Sequence, residues 1–188
     1  MSKDATEVVV GSNGTLWVAP YGAAEPTDID DPLSAEWYDL GYLSEDGVTI
    51  GAPREVTSIG AWQSYYPIRR IVTSKDLTIA GALRQFGGKQ VEVALDAVVT
   101  EDGTGKYRLT PNAPEDIAEW AVAIEWADGA KDYRIIVPRT ILVENVEFAV
   151  ARTAPTDLAV SFGVLGTDGA EAWFGQSNDP AWLYAVSS

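Results

Sequence analysis

The sequence predicts a mainly β fold, a β-sandwich or partly open barrel with one flanking α-helix. Two observations lead to this prediction. Most of the chain consists of short segments in which apolar and polar residues alternate, separated by turn-forming residues, as is typical of strands with one buried face. A single segment, near residue 90, has its apolar residues at helical spacing instead.

In the first half of the chain, GTLWVAP reads as a strand, and the Pro-, Gly- and Asp-rich residues 21–37 read as an irregular acidic excursion. KDLTIAGALRQF alternates strongly: Leu77, Ile79 and Leu83 should face a core, which leaves Thr78, Ala80 and Ala82 on the other face. The segment after Gly87-Gly88 predicts a helix over about 89–98.

The second half reads as strands throughout. GKYRLTP is one, and AEWAVAIEWADGAKDYRIIVPR is two, joined by a hairpin turn at Asp128-Gly129. ILVENVEFAVA and TDLAVSFGVLG show the same alternation and predict the last two strands. The C-terminal segment, about 167–188, keeps several aromatic residues, so we expect it to dock on the fold.

Residues 44–76 are the exception, because their apolar residues show no regular periodicity. This segment is therefore predicted to be a long inter-strand loop. Loops longer than about 12–15 residues are uncommon in compact domains and are usually functional or disordered. Disorder is a poor explanation, since the segment is rich in aromatic and β-branched residues. Its apolar side chains therefore need a surface to pack against.

Composition limits the domain organisation. The 188 residues, 46% hydrophobic and 22% charged, suffice for one core, so we expect a single domain over residues 1–188. The start, MSKDATEVVVGSNG, lacks the features of a secretory signal, and no run approaches the roughly 20 apolar residues of a membrane span. We expect a product made in a cytoplasm, with no membrane as a partner.

The residue types present argue against catalysis. Cysteine and histidine are both absent, which removes thiolate nucleophiles, the commonest general base and the commonest metal ligand. Asp28, Asp30 and Asp31 suggest a calcium loop, but Leu33 stands where an EF-hand requires glycine. DGTGK at 102–106 reads as a hairpin turn, since it lacks phosphate-loop spacing. We predict no enzyme, no catalytic residues, no cofactor and no metal.

The net charge of −15 argues against a nucleic-acid-binding surface. The charge is unevenly distributed: residues 1–53 carry −9, residues 54–90 carry +4 and residues 91–188 carry −10. The basic block largely coincides with the long loop.

Three stretches in order, GTLWVAPYGAAEPTD, LGYLSEDGVTI and IGAWQSYYPIRRIVTSKDLTIAGALRQFGGKQVEVAL, resemble the major tail protein of long, flexible-tailed bacteriophages that infect actinobacteria. The resemblance covers most of the chain and is strongest over residues 14–98. It implies a structural virion protein that forms stacked hexameric rings, a hollow tube through which the DNA genome passes without specific binding. The chain differs in ending soon after residue 166 without an added Ig-like domain, so we expect no surface-decorating role.

The resemblance also implies partners. Copies of the chain would contact one another, and the tape measure, tail tip and tail terminator proteins would join the assembly. The alternative, from another functional class, is a soluble carbohydrate- or calcium-binding β-sandwich module.

In tubes of this type a long loop reaches across neighbouring subunits, and residues 44–76 are the segment suited to that role. A head-to-tail contact needs two different surfaces on each chain, and the acidic 1–53 and basic 54–90 segments are candidates. The residues predicted to form the interface are Trp62, Tyr65, Tyr66, Ile68, Arg69 and Arg70. Alternatively, the four apolar residues cap the core of their own domain.

Alternation also predicts which side chains would line the tube. In TDLAVSFGV and ILVENVEFAV, Leu158, Val160, Phe162, Val146 and Phe148 should face the core. The residues predicted to face the lumen are Thr78, Ala80, Ala82, Asn145, Glu147, Asp157, Ala159 and Ser161. Such a lining would be small, polar and acidic, and would repel a polyanion.

Overall fold

The structure, a computed structural model, describes residues 7–113, 115–144, 146, 148–167 and 169–182. Strands account for 51% of the chain and helix for 6%, which confirms the predicted mainly β fold with one flanking helix. The elements in chain order are β1 (Asn13–Pro20), β2 (Tyr38–Asp39), β3 (Leu43–Gly51), β4 (Arg54–Ala61), β5 (Ser64–Lys75), β6 (Thr78–Leu83), α1 (Gly88–Ala94), β7 (Ala97–Glu101), β8 (Tyr107–Pro111), β9 (Trp120–Asp128), β10 (Lys131–Leu142), β11 (Leu158–Val164) and β12 (Phe174–Ser177).

Eight strands form one antiparallel sheet in the order β2-β1-β9-β10-β11-β6-β3. The eighth, β12, pairs with the first half of β10, while β11 pairs with the end of β10. The sheet stays open and does not close into a barrel, which is consistent with a β-sandwich. Two further hairpins, β4–β5 and β7–β8, form separate two-stranded sheets.

The main core lies between one face of the large sheet and α1. Strands β1, β6, β9, β10 and β11 each direct alternate side chains into it, as the alternating sequence predicts. Helix α1 adds Val91, Val93 and Ala94 to the same cluster. Its largest fully buried side chain is Phe162.

A second, smaller core lies on the opposite face of β1, β9 and β10. Ala19, Ala121, Ala123 and Ile136 project there and are covered by Trp37 from the acidic excursion. The Trp37 indole N–H donates to the Ala24 carbonyl oxygen at 3.0 Å, which closes the excursion over this face. These central strands are therefore buried on both sides.

The helix is shorter than the predicted range of 89–98. It ends at Ala94, with Leu95 as its C-cap, because Asp96 takes a left-handed φ of 46°. The Asn112 side-chain amide donates to the Asp96 carboxylate at 2.8 Å and supports this turn. Val98 accordingly lies on β7 and not on the helix.

The prediction of a strand over ILVENVEFAVA is also wrong beyond the first two residues of that segment. β10 ends at Leu142, and the described residues from Val143 to Asp157 have no regular secondary structure. Val146 does pack against the main core. Phe148 is 40% exposed and instead contacts Phe86 edge-on, with ring centroids 5.8 Å apart.

The long loop predicted over residues 44–76 is largely strand. β3, β4 and β5 account for most of it, and only Ala52-Pro53, Trp62-Gln63 and the final Asp76 are not strand. The prediction failed because hydrophobic alternation is a signature of one buried face, and the β4–β5 hairpin has none. The β3 portion pairs with β6 at the edge of the large sheet.

Part of the C-terminal segment docks on the fold. β12 pairs with Tyr133 to Ile136 of β10, and Trp182 lies against Tyr133 with ring centroids 5.9 Å apart. Among the described residues, none of the helices has the length and hydropathy required to cross a lipid bilayer.

Candidate functional site

The β4–β5 hairpin is the least covered part of the structure. β4 and β5 pair from Arg54↔Lys75 at the base to Ala61↔Ser64 at the tip, where Trp62 and Gln63 make the turn. The base is closed by a hydrogen bond from the Asp76 N–H to the Pro53 carbonyl oxygen at 3.1 Å. β5 has 12 residues, which corresponds to about 40 Å at about 3.3 Å per residue.

The predicted interface residues lie at and beside the tip of this hairpin. Trp62 is 99% exposed, Tyr65 106%, Tyr66 82% and Ile68 64%. These four side chains do not pack on their own core, so the alternative that they cap it is wrong. Their exposure is unusual, because large contiguous apolar surfaces on a soluble protein mark interaction sites.

Both faces of the hairpin carry apolar side chains. On one face Val56 pairs with Val72, and on the other Thr57 pairs with Ile71. Every residue of β5 is exposed, as is every residue of β4 except Ala61. Because an isolated two-stranded hairpin is only marginally stable in water, this one is suited to being covered by another surface.

The hairpin is also basic. It carries Arg54, Arg69, Arg70 and Lys75 against the single acid Glu55. Arg69 pairs with Ile59 and Arg70 with Ser58, which places the two guanidinium groups on opposite faces. None of these charges forms an ion pair within the part of the chain that the structure describes.

A groove of about 1010 Å³ lies between β1 and β3 on the large sheet, and we call it the β1–β3 groove. Its apolar lining comes from the buried or half-buried side chains of Leu43, Val48, Ile124 and Trp126. Its acidic lining residues, Asp39, Glu45 and Asp46, are all exposed. Among the residues that the structure describes, no lysine or arginine lines the groove.

Both strands that border this groove have unused pairing edges. β3 is the last strand in the sheet order, with β6 on one side only. β2 pairs with β1 only at Trp17 and Val18, so the first residues of β1 also lack a partner strand on that side within the described residues. Edge strands of this kind present N–H and C=O groups that can pair with another chain.

Most of the predicted lumen residues lie on one face of the large sheet. The cross-strand pairs are Ala82↔Ala159, Ala80↔Ser161 and Thr78↔Gly163, and this face is opposite the core residues Ile79 and Phe162. We call the set Thr78, Ala80, Ala82, Ala159 and Ser161 the small-residue face. The structure thus brings together residues that are far apart in the sequence.

Two of the predicted lumen residues, Ser161 and Asp157, are bonded to other parts of the chain. Ser161 is only 5% exposed, because the chain leaving β10 runs beside it, with the Val143 N–H donating to the Ser161 carbonyl oxygen at 3.0 Å. Ser161 therefore has little exposed surface in the single chain, and its place in the lumen stays a prediction. Asp157 pairs with Arg84 at 3.3 Å. Asn145 and Glu147 lie outside the described residues.

Two carboxylates of the acidic excursion, those of Asp28 and Asp31, accept hydrogen bonds from residues of the same segment. Asp28 Oδ1 accepts hydrogen bonds from the backbone N–H groups of Asp30 at 2.9 Å and Asp31 at 3.1 Å. The Thr27 hydroxyl donates to Asp31, and this bond lowers the pKa of the Asp31 carboxyl. The described residues contain no group of three or more His, Cys, Asp or Glu side chains placed to hold a metal ion.

Sequence reasoning located the exposed aromatic and basic residues but missed the elements that present them. The enrichment of residues 54–75 in β-branched and aromatic types was a usable strand signal. The groove had no sequence signal, because its lining comes from segments around residues 11, 44 and 125 that only the sheet brings together.

Comparison with known proteins is consistent with these observations. A family model described as phage tail tube protein matches residues 1–185. A search of curated proteins found no similar sequence.

Proposed function

The chain belongs to the phage tail tube protein family, and from this premise we propose how it builds a tube. A member of this family is a structural subunit of the virion tail. Copies of the chain form hexameric rings, and the rings stack head to tail into a hollow tube that conducts the DNA genome during ejection. The tube belongs to a long, flexible tail of a phage of actinobacteria, is made in the host cytoplasm, and has no catalytic activity.

The observation that carries this proposal is the bare β4–β5 hairpin. Trp62 and Tyr65 are almost fully exposed at its tip, and neither face is covered. Aromatic side chains with arginines are the residues that most often dominate interface energies. A second copy offers the covering surface, since a head-to-tail contact between identical chains uses two different patches and can repeat indefinitely.

The small-residue face supports the second half of the proposal. In the assembled tube this face, with Asp157 and with Asn145 and Glu147, lines the lumen. DNA carries about one negative charge per 1.7 Å of its axis, so a lining without lysine or arginine passes it without holding it. The net charge of −15 on each chain favours the same outcome.

The ends of such a tube need different partners from its middle, because the terminal rings leave one hairpin set or one receptor surface unused. The tape measure, tail tip and tail terminator proteins are the partners that we propose for such an assembly.

Negative-stain electron microscopy of the purified, concentrated protein tests the proposal. We expect rings or tubes from the natural sequence. The variant Trp62→Ser with Tyr65→Ser should stay folded but remain as single particles, because exposed substitutions cost little stability while the loss of interface anchors weakens assembly.

A matched control replaces two exposed aromatic residues elsewhere, Tyr107 and Trp173, by serine. This variant should assemble if the hairpin is the specific contact. Isolated particles of the natural protein under all conditions, together with binding on a glycan array or to calcium in calorimetry, would instead support the carbohydrate- or calcium-binding module.

A further inference from the structure

The β1–β3 groove and the β4–β5 hairpin are complementary in charge. The acids Asp39, Glu45 and Asp46 line the groove, and no basic residue of the described chain does so. Of these, Glu45 has a distant ion pair with Arg84, at 3.8 Å, and its side chain is 93% exposed. Such a pair contributes little, so the acidic charge of the groove remains available to a partner. The hairpin supplies the opposite charge, from bases without partners in the described chain.

The two surfaces also match in their apolar chemistry. The groove lining includes the exposed side chains of Tyr42 and Ile50 besides the half-buried Val48 and Trp126. Where β4 and β5 pair regularly, Arg70 and Val72 lie on one face of the hairpin and Arg69 and Ile71 on the other. The register shifts between Ile59 and Ala61, so Tyr65, Tyr66 and Ile68 belong to the irregular part of the hairpin next to the tip. Either face can therefore present an apolar strip to the groove lining together with an arginine to its acids.

Within one chain the hairpin does not fill this groove. None of residues 54–75 lines it, and the tip residues Trp62 and Tyr65 are fully exposed. A head-to-tail contact, in which each chain uses its hairpin once and its groove once, would bring the hairpin of another copy to the groove.

We propose that the β1–β3 groove is the receptor for the β4–β5 hairpin of a neighbouring copy. This inference rests on the proposed function, because it identifies the surface to which the tube-forming hairpin binds. Main-chain pairing contributes as well: within the described residues β3 pairs with β6 on one side only, and an added strand can continue the sheet at its other edge. The hairpin side chains then select the register by placing arginines opposite Glu45 and Asp46.

Charge reversal of each surface tests the pairing. A groove variant carries Glu45→Lys with Asp46→Lys, and a hairpin variant carries Arg69→Glu with Arg70→Glu. Each alone should reduce the association constant for assembly by about a hundredfold or more, because like charges then face each other. The control variant Glu115→Lys with Asp116→Lys reverses two adjacent exposed acids outside the groove and should assemble normally.

Mixing the two inactive variants gives the decisive result. The hairpin of the groove variant is still basic and the groove of the hairpin variant is still acidic, while the two altered surfaces also complement each other. An equimolar mixture should therefore co-assemble, as measured by sedimentation velocity and electron microscopy. Failure of the mixture to assemble, while the natural protein forms tubes, would overturn the groove assignment and leave the proposed function intact.

Cross-linking locates the contact directly, since the chain has no cysteine. Tubes of a chain with Gln63→Cys and Ser44→Cys should yield ladders of linked subunits with a short bis-maleimide reagent. The pair Gln63→Cys with Thr104→Cys, which places the second thiol in an exposed turn outside the groove, should not. Ladders only from the Thr104 pair would overturn the assignment, and a natural protein that never assembles would overturn the proposed function with it.

Discussion

At the scale of single residues, a buried polar cluster holds the C-terminal segment on the sheet. The Tyr133 hydroxyl donates to Asp179 Oδ2 at 2.6 Å, and Lys131 Nζ lies 3.0 Å from the same oxygen. The Ala181 N–H donates to Asp179 Oδ1 at 3.0 Å. Tyr133 is 2% exposed and Asp179 5%, so these bonds replace the water that both groups give up.

The cluster shifts both pKa values. The hydrogen bond from Tyr133, followed by that from the Ala181 N–H, lowers the pKa of Asp179 to about 2 from its ordinary 3.8. The same bond, followed by burial, raises the pKa of Tyr133 to about 12 from 10.0. The stabilisation from Asp179 is therefore complete above pH 3.8 and is lost as the pH falls through about 2. That from Tyr133 is complete below pH 10.0 and is lost as the pH rises through about 12.

We predict that Asp179→Asn lowers the Tm at pH 7 by about 5 °C, because a charge-assisted hydrogen bond and an ion pair are lost. The difference from the natural protein should shrink as the pH falls from 3.8 towards 2, where the carboxylate itself is protonated. Thermal unfolding at several pH values measures this. Asp116→Asn, an exposed control, should show no difference at any pH, and a pH-independent gap for Asp179→Asn would contradict the assigned role.

At the scale of elements, the strands that sequence predicted best are those with one buried face. In β11, Leu158, Val160 and Phe162 are buried while Ala159 is exposed, as alternation requires. The sequence pattern predicts a loop in place of the β4–β5 hairpin, because apolar residues occupy both faces of the hairpin and neither face is buried. Its strand character comes from β-propensity and cross-strand pairing, which contribute no period to the sequence.

Amide hydrogen exchange should distinguish free and assembled hairpins. In the monomer we expect residues 54–75 to exchange rapidly, because both faces are open to water and only one neighbouring strand protects each backbone. In the assembled protein the same amides should slow by at least ~100-fold. The core strand β9 should be slow in both states and is the internal control. Equal and strong protection of the hairpin in both states would contradict its role between subunits.

At the scale of the whole molecule, the sheet separates two environments. Its one face packs Ile79 and Phe162 into the main core, and the opposite face of β6 and β11 presents alanine, threonine and serine. A surface without long side chains, lysines or arginines suits the wall of a channel for a polyanion. The assignment of this face to the lumen remains a prediction.

We predict that Ala159→Lys permits tubes but slows DNA ejection, because each chain then adds a cation to the small-residue face. Ala159 is exposed and has no ion pair to disturb, unlike Asp157. The effect should be larger at low salt, where charges are less screened. Phage carrying Ala159→Gln supply the uncharged control, and ejection kinetics from purified virions are the measurement. Normal ejection from well-formed lysine-bearing tails at low salt would show that this face does not meet the DNA.

The sequence by itself determined the fold class and most strands with a buried face. It could do so because alternation is a local property, so that the burial of Leu158 and Phe162 follows from the residues within a few positions of each. It also predicted the Asp128-Gly129 hairpin, where Gly129 takes a left-handed φ of 66°. The interface role of Trp62 and its neighbours stays a prediction.

Only the tertiary structure decided where α1 and β10 end and that residues 54–75 form a hairpin. It also formed the β1–β3 groove, whose charge is opposite to that of the hairpin. The end of the helix depends on Asp96, whose turn is held by Asn112, sixteen positions away. The groove depends on sheet order, because Glu45 and Trp126 meet only after β1 pairs with β9 and β3 takes the opposite edge. Contacts between distant positions carry no local period, and therefore only the folded chain specifies them.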